Sequence, residues 1–159
     1  MATASSYTIT QRNNITEKEG ISFLLKTNPK YFAPDGDSRK LILNHLGIDA
    51  KKFYRTFDMI YLPNHDASNT EALVLNKIDL NSIILIELKT TKKYLPNNPK
   101  GFFFGATKNE FDLAEILGDR YKFSFVSLHP DSLSVAELTL DELNNWSQHK
   151  RIQYQISLK

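Results

Sequence analysis

The stretch Ile83-Ile84-Leu85-Ile86-Glu87-Leu88-Lys89-Thr90 constrains this chain more than any other. Four consecutive aliphatic residues define a strand buried in a core, and such a strand normally excludes charge. Here it runs straight into Glu87 and Lys89. Side chains alternate across a strand, so these two leave the same face, about 7 Å apart along it. The sequence therefore predicts a carboxylate and an ammonium held side by side at the end of a rigid apolar element.

The rest of the chain has to supply a core for that strand. With 159 residues it can form one domain over residues 1–159 and bury about two thirds of its unfolded surface. The absence of cysteine excludes a disulfide framework, a thiolate metal site and a cysteine nucleophile. His45, His65, His129 and His149 show no metal-ligand spacing. Met1 to Ser6 lacks a basic segment followed by an apolar run, and no apolar stretch approaches the roughly 18 residues that span a bilayer. A cytoplasmic protein without a membrane partner is the expectation. No glycine-rich phosphate loop occurs, which argues against nucleotide-dependent chemistry.

The net charge of +2 conceals a local excess. Between Leu88 and Asn109 stand five lysines, Lys89, Lys92, Lys93, Lys100 and Lys108, and no acid. A basic segment directly after the Glu-x-Lys strand suits a polyanion such as nucleic acid; the competing reading is a solvated lysine-rich loop.

Residues 1–14 are polar and read as an arm or edge strand. Thr16-Glu17-Lys18-Glu19 has the form of a capping box, predicting a helix from Glu17 that stops at Asn28-Pro29. Asp37 or Ser38 can cap a second helix ending at Gly47, with Leu41, Ile42 and Leu46 on its apolar face. Strands are predicted over 57–62 and 72–80, joined by a polar loop over 64–70, and Asn81-Ser82 turns the second into the Ile83 strand. Thr107-Lys108-Asn109-Glu110 opens a helix that Gly118 stops. A strand over 121–128, a helix behind the Thr139-Glu142 box and a half-buried final strand over 152–158 complete the order α-α-β-β-β-α-β-α-β. That order implies a mixed α/β (α+β) fold with an antiparallel meander, and not a doubly wound sheet.

Asp58 in an early strand, Glu87-Leu88-Lys89 in a later one, a helix before them and a helix and strand after them resemble the PD-(D/E)XK nuclease superfamily. Glu87-Leu88-Lys89-Thr90-Thr91, Gly101-Phe102-Phe103-Phe104, Thr107-Lys108-Asn109-Glu110-Phe111 and Gly118-Asp119-Arg120-Tyr121 extend the likeness to small restriction-endonuclease-like modules over residues 57–128. Phe57 stands where that family often has proline. The resemblance implies a restriction-endonuclease-like fold, a central mixed sheet flanked by helices. It also implies a type II restriction-endonuclease-like enzyme hydrolysing DNA phosphodiesters to a 5′-phosphate and a 3′-hydroxyl.

A phosphodiester repels hydroxide, so its hydrolysis calls for a cation that neutralises charge and acidifies water, and hard oxygen ligands select Mg2+ or Mn2+. The resemblance assigns Asp58, Glu87 and the Leu88 carbonyl as ligands and Lys89 as the group orienting water and stabilising charge on phosphate. Asp79 is the alternative aspartate, and Glu17 or Glu19 a possible additional acid. Lys92, Lys93, Lys100 and Lys108 are candidates for contacts to duplex DNA, which a helix N-terminus at Thr107 would assist. Phe102, Phe103 and Phe104 suit either base stacking or the core. One such site cuts one strand, so double-strand cleavage implies a homodimer or a partner subunit. The alternative is a non-catalytic nucleic-acid-binding or assembly module on the same fold, with Glu87 and Lys89 a mere exposed ion pair at a strand end.

Overall fold

The computed structural model describes residues 2–64 and 79–159, with side chains described from residue 15. The elements are α1 (Ala2–Thr27), β1 (Tyr31–Phe32), α2 (Gly36–His45), α3 (Ala50–Phe53), β2 (Met59–Tyr61), β3 (Ile84–Thr91), α4 (Lys108–Leu117), β4 (Tyr121–Ser127), β5 (Ser134–Leu138) and α5 (Leu140–Trp146). Among the described residues the strands form one mixed sheet in the order β1-β2-β3-β4-β5. The first three strands run antiparallel to their neighbours, β3 and β4 pair in parallel across α4, and β5 returns antiparallel. Helices lie on both faces, as expected of a mixed α/β chain.

The aliphatic run of β3 explains its central place. Ile86 and Leu88 point to one face, where they meet Leu24 of α1, Met59 and Val126. Leu85 points to the other, among Ile60, Phe123, Phe125 and Leu138 from the strands and Ile42, Leu43, Phe53, Leu113 and Leu143 from α2 to α5. Each face thus receives every second residue, and β3 is covered on both. Glu87 and Lys89 belong to the second face by the same alternation.

Gly20 sets the distance between α1 and the sheet. A Cβ there would lie 2.1 Å from Thr90 Cγ2 and 3.2 Å from Leu88 Cδ2, so only glycine lets the helix settle this low on β3. The two capping boxes expected at Thr107 and Thr139 are both formed. Gly118, with φ of 56°, ends α4 where the sequence places its stop.

Several expectations need correction. Residues 2–14 are no strand or free arm; α1 starts at Ala2, and the Thr16-Glu19 box lies inside it. Threonine and glutamate three apart also fit a helix interior, so the motif alone does not mark a start. Asp35, not Asp37 or Ser38, caps α2 by accepting from the Ser38 amide, and that phase buries Ile42 and Leu43 while leaving Leu41 exposed. The short helix α3 and the strands β1 and β5 went unexpected. The segment 152–158 alternates but forms no strand: Ile152, Tyr154, Ile156 and Leu158 are exposed, because no strand of the sheet lies beside them. Most of the strand expected over 72–80 and of the loop over 64–70 falls outside the described residues.

Replacing Gly20 with alanine should force α1 away from β3 and cost about 1–3 kcal/mol, with Thr90→Ser restoring part of the loss. Urea unfolding of the single and double variants measures both effects. Removing residues 152–159 should leave stability within about 0.5 kcal/mol of the full chain, by the same measurement.

Candidate functional site

The pairing of β2 with β3 brings the sequence-predicted acids together. Met59 lies opposite Ile86, so Asp58 stands one step beyond the last pair, beside Glu87. The Asp58 amide donates to the Ile86 carbonyl at 2.8 Å, and its carboxylate Oδ2 accepts from the Leu88 amide at 2.8 Å. A side chain thus takes the place of the next ladder carbonyl, which fixes the aspartate against β3 by its own backbone. Asp58 and Glu87 are close enough for each carboxyl to perturb the other.

Lys89 lies between two carboxylates. Its Nζ is 2.8 Å from Glu87 Oε1 and 3.2 Å from Glu110 Oε1. All three side chains are shielded, at 12%, 8% and 9% exposed, so Glu87 and Lys89 are not the exposed strand-end pair of the simpler reading. Glu110 is the residue sequence reasoning missed as a site member. It sits at the third position of α4, where its other oxygen, Oε2, accepts from the Thr107 amide to close the capping box. The T-x-x-E motif announced the box, and nothing local announced that the same side chain would also reach Lys89.

The electrostatics follow from burial and an unequal count of charges. Burial raises the Glu87 carboxyl well above its usual range, the neighbouring Glu110 and Asp58 raise it further, and Lys89 opposes them. Asp58 is raised by burial, against the Leu88 amide and Lys89, which favour its charged form. Burial also pushes Glu110 up, but contact with Glu87, Lys89 and the Thr107 amide outweighs this and holds it low. For Lys89 burial acts downward, and the two carboxylates more than offset it, keeping the ammonium charged. Three carboxyl groups, Asp58, Glu87 and Glu110, thus face one ammonium. Full ionisation would leave excess negative charge in a desolvated place, which a proton or a cation has to balance.

Glu17 of α1 is near enough to Asp58 and Lys89 to feel their charges. Burial raises its carboxyl, as does Asp58, while Lys89 and Arg39 act the other way. Glu19 instead pairs with Lys92 on the surface at 3.2 Å. Asp79 is exposed and tied into its own turn, accepting from the Asn81 amide at 3.0 Å. Lys108 pairs with Asp112 at 2.6 Å, and Lys93 and Lys100 are exposed. Phe102 and Phe104 pack edge-on against Phe125 and so belong to the core, whereas Phe103 is exposed.

Two features fit a hard divalent cation. Asp58 and Glu87 offer adjacent carboxylates, and Glu87 Oε2 is buried without a hydrogen-bond partner. Magnesium is commonly held through one or two carboxylates, with water filling the remaining positions. As the side chains stand, no set of three or more acidic or histidine residues among the described residues encloses a cation position. Asp58 and Glu87 each have one oxygen engaged elsewhere, by Leu88 and by Lys89, and Glu110 has both engaged, by Lys89 and by Thr107. No protein-family model, curated protein or solved structure matches the chain. Among the described residues no helix is long and apolar enough to cross a membrane.

Folded Glu87 keeps its proton above the ordinary value of 4.5, where the unfolded chain has lost it. The folded state then binds more protons, so this group's contribution to stability is lost as pH rises through its raised value. Glu87→Gln, which cannot ionise, should flatten the decline that sets in as pH rises above the ordinary carboxylate range, Asp58 leaving a smaller slope of the same sign. Urea unfolding along that series decides it, and a Glu87→Gln slope equal to wild type refutes the assignment.

Proposed function

We propose that the chain is a metal-dependent endonuclease with a restriction-endonuclease-like core, acting on duplex DNA. The observation that carries this reading is the charge imbalance at the end of β3: Asp58, Glu87 and Glu110 shielded around the single ammonium of Lys89, with one Glu87 oxygen unengaged. A purely structural ion pair would be balanced one to one, and buried unpaired carboxylates are costly. The order of elements supports the reading too, with a helix, an antiparallel run into β3, then a helix and the parallel strand β4.

On this proposal Asp58, Glu87 and the Leu88 carbonyl hold Mg2+ or Mn2+, and Glu17 is the additional acid. The bound cation would supply charge neutralisation at the phosphate and a more acidic water. Lys89 then orients the attacking water and stabilises the charge that grows on the phosphate oxygens, for which its ammonium is held charged and nearly dry. The water oxygen bonds to phosphorus as the bond to the 3′-oxygen breaks, leaving a 5′-phosphate and a 3′-hydroxyl. Glu110 keeps the ammonium from swinging away. Lys92, Lys93, Lys100 and Lys108 contact the backbone, Lys92 and Lys108 giving up surface pairs worth at most about 1 kcal/mol. Cutting both strands takes a homodimer or a partner subunit.

One observation favours a second reading, a non-catalytic nucleic-acid-binding or assembly module. Lys89 is already engaged by two carboxylates, an arrangement that can serve as a buried structural clasp.

Two measurements separate the readings. Purified protein with supercoiled plasmid and Mg2+ or Mn2+ should nick it, and Asp58→Ala, Glu87→Ala and Lys89→Ala should each lower the rate at least about 100-fold. Plasmid left intact across both metals and a range of salt, or cut equally by the variants, sinks the nuclease reading. Independently of activity, Mg2+ or Mn2+ at 100 times its dissociation constant should stabilise wild type by about 2.7 kcal/mol and Asp58→Asn much less. A clasp without a cation site predicts no shift in either.

A further inference from the structure

A second basic surface lies where α2 meets α3, outside the lysine segment that follows β3. Lys40, Lys51, Lys52 and Arg55 are all exposed there, and none of them forms an ion pair with the described residues. In the other segment Lys92 and Lys108 are engaged by Glu19 and Asp112, while Lys93 and Lys100 form no ion pair with the described residues.

The corner is also organised. Lys40 lies 4.6 Å over the Tyr54 ring and Arg55 lies 5.2 Å from it, while Lys52 lies 4.9 Å over Phe53. Stacking on aromatic faces holds the charged heads themselves in place at this exposed corner. Lys40, Lys51, Asn44 and Tyr54 line an open depression of about 720 Å³. Asp49, the acid at its rim, is engaged by the Lys52 amide as the cap of α3.

Arg39 connects the corner to the carboxylates. Its guanidinium donates to the carbonyls of Pro34, Tyr54 and Phe57, spanning from the start of α2 to the residue before Asp58. Arg55 precedes Asp58 by three residues in the chain. The corner is thus tied through the backbone to the segment that carries Asp58.

We infer that the α2–α3 corner, through Lys40, Lys51, Lys52 and Arg55, is a binding surface for the phosphate backbone of duplex DNA. It rests on the nuclease reading for its choice of polyanion and deepens it, assigning an approach side for the duplex. Unpaired exposed cations make sequence-independent phosphate contacts, and each releases counterions on binding, so their number is readable from salt dependence.

Fluorescence anisotropy of a labelled duplex, with wild-type protein in EDTA so that cleavage plays no part, tests it. The Lys40→Gln/Lys51→Gln/Lys52→Gln variant should bind at least tenfold more weakly, with a slope of log affinity against log salt lower by about two to three. A charge-matched control, Lys26→Gln/Lys122→Gln/Lys150→Gln, should keep most of the affinity. Arg55→Gln alone should weaken binding and lower the slope by about one. The surface is overturned if the corner variant binds like wild type or no worse than the control. It is overturned equally if wild type prefers vesicles of anionic lipid to duplex. Wild type that binds through the corner yet leaves plasmid intact with Mg2+ and Mn2+ would end the nuclease reading while upholding this surface.

Discussion

The structure depends on the placement of a single ammonium. Lys89 lies on a strand whose preceding residues are aliphatic and buried, and it remains charged there because Glu87 and Glu110 grip it from β3 and α4. Remove that grip and two carboxylates are left unpaired in a desolvated place, with Asp58 beside them. Coulomb energy in such surroundings is several times its value in water, so the arrangement tolerates little displacement. What holds it is geometry set by the sheet: β3 is hydrogen-bonded to β2 on one side and β4 on the other.

Glu110 shows how one side chain serves two levels of the structure. One oxygen closes the first turn of α4 and the other holds Lys89. The start of α4 and the site are therefore electrically linked. Changing the charge on Lys89 alters the environment of a helix cap, and loosening the cap frees a ligand of the ammonium. This coupling requires no motion of either element.

What could be read from the chain was whatever has a short period. The alternation along β3 placed Glu87 and Lys89 on one face, and the capping boxes at Thr107 and Thr139 marked two helix starts. Asp58 was singled out by its place in an early strand, and the register of β2 with β3 does set it beside Glu87. The contact from Glu110 to Lys89 was illegible, because it exists only once α4 is laid over the sheet. The same limit misled the reading of 152–158, where alternation supplies a strand-like pattern but no neighbouring strand to pair with. The Thr16-Glu19 spacing was ambiguous between a helix start and a helix interior, and side-chain patterning could not decide it. β5 is short and half-buried, and carries little signal of its own.

The Asp58 to Leu88 hydrogen bond has a consequence for how the molecule opens. A carboxylate docked onto the backbone of the strand opposite exists only while β2 and β3 are in register. The Leu88 amide donates one step beyond the last β2–β3 pair, so its exchange with solvent reports the opening of that end of the ladder. Asp58 is therefore lost from the carboxylate cluster in partially opened forms in which β2 has detached, even when the helices persist.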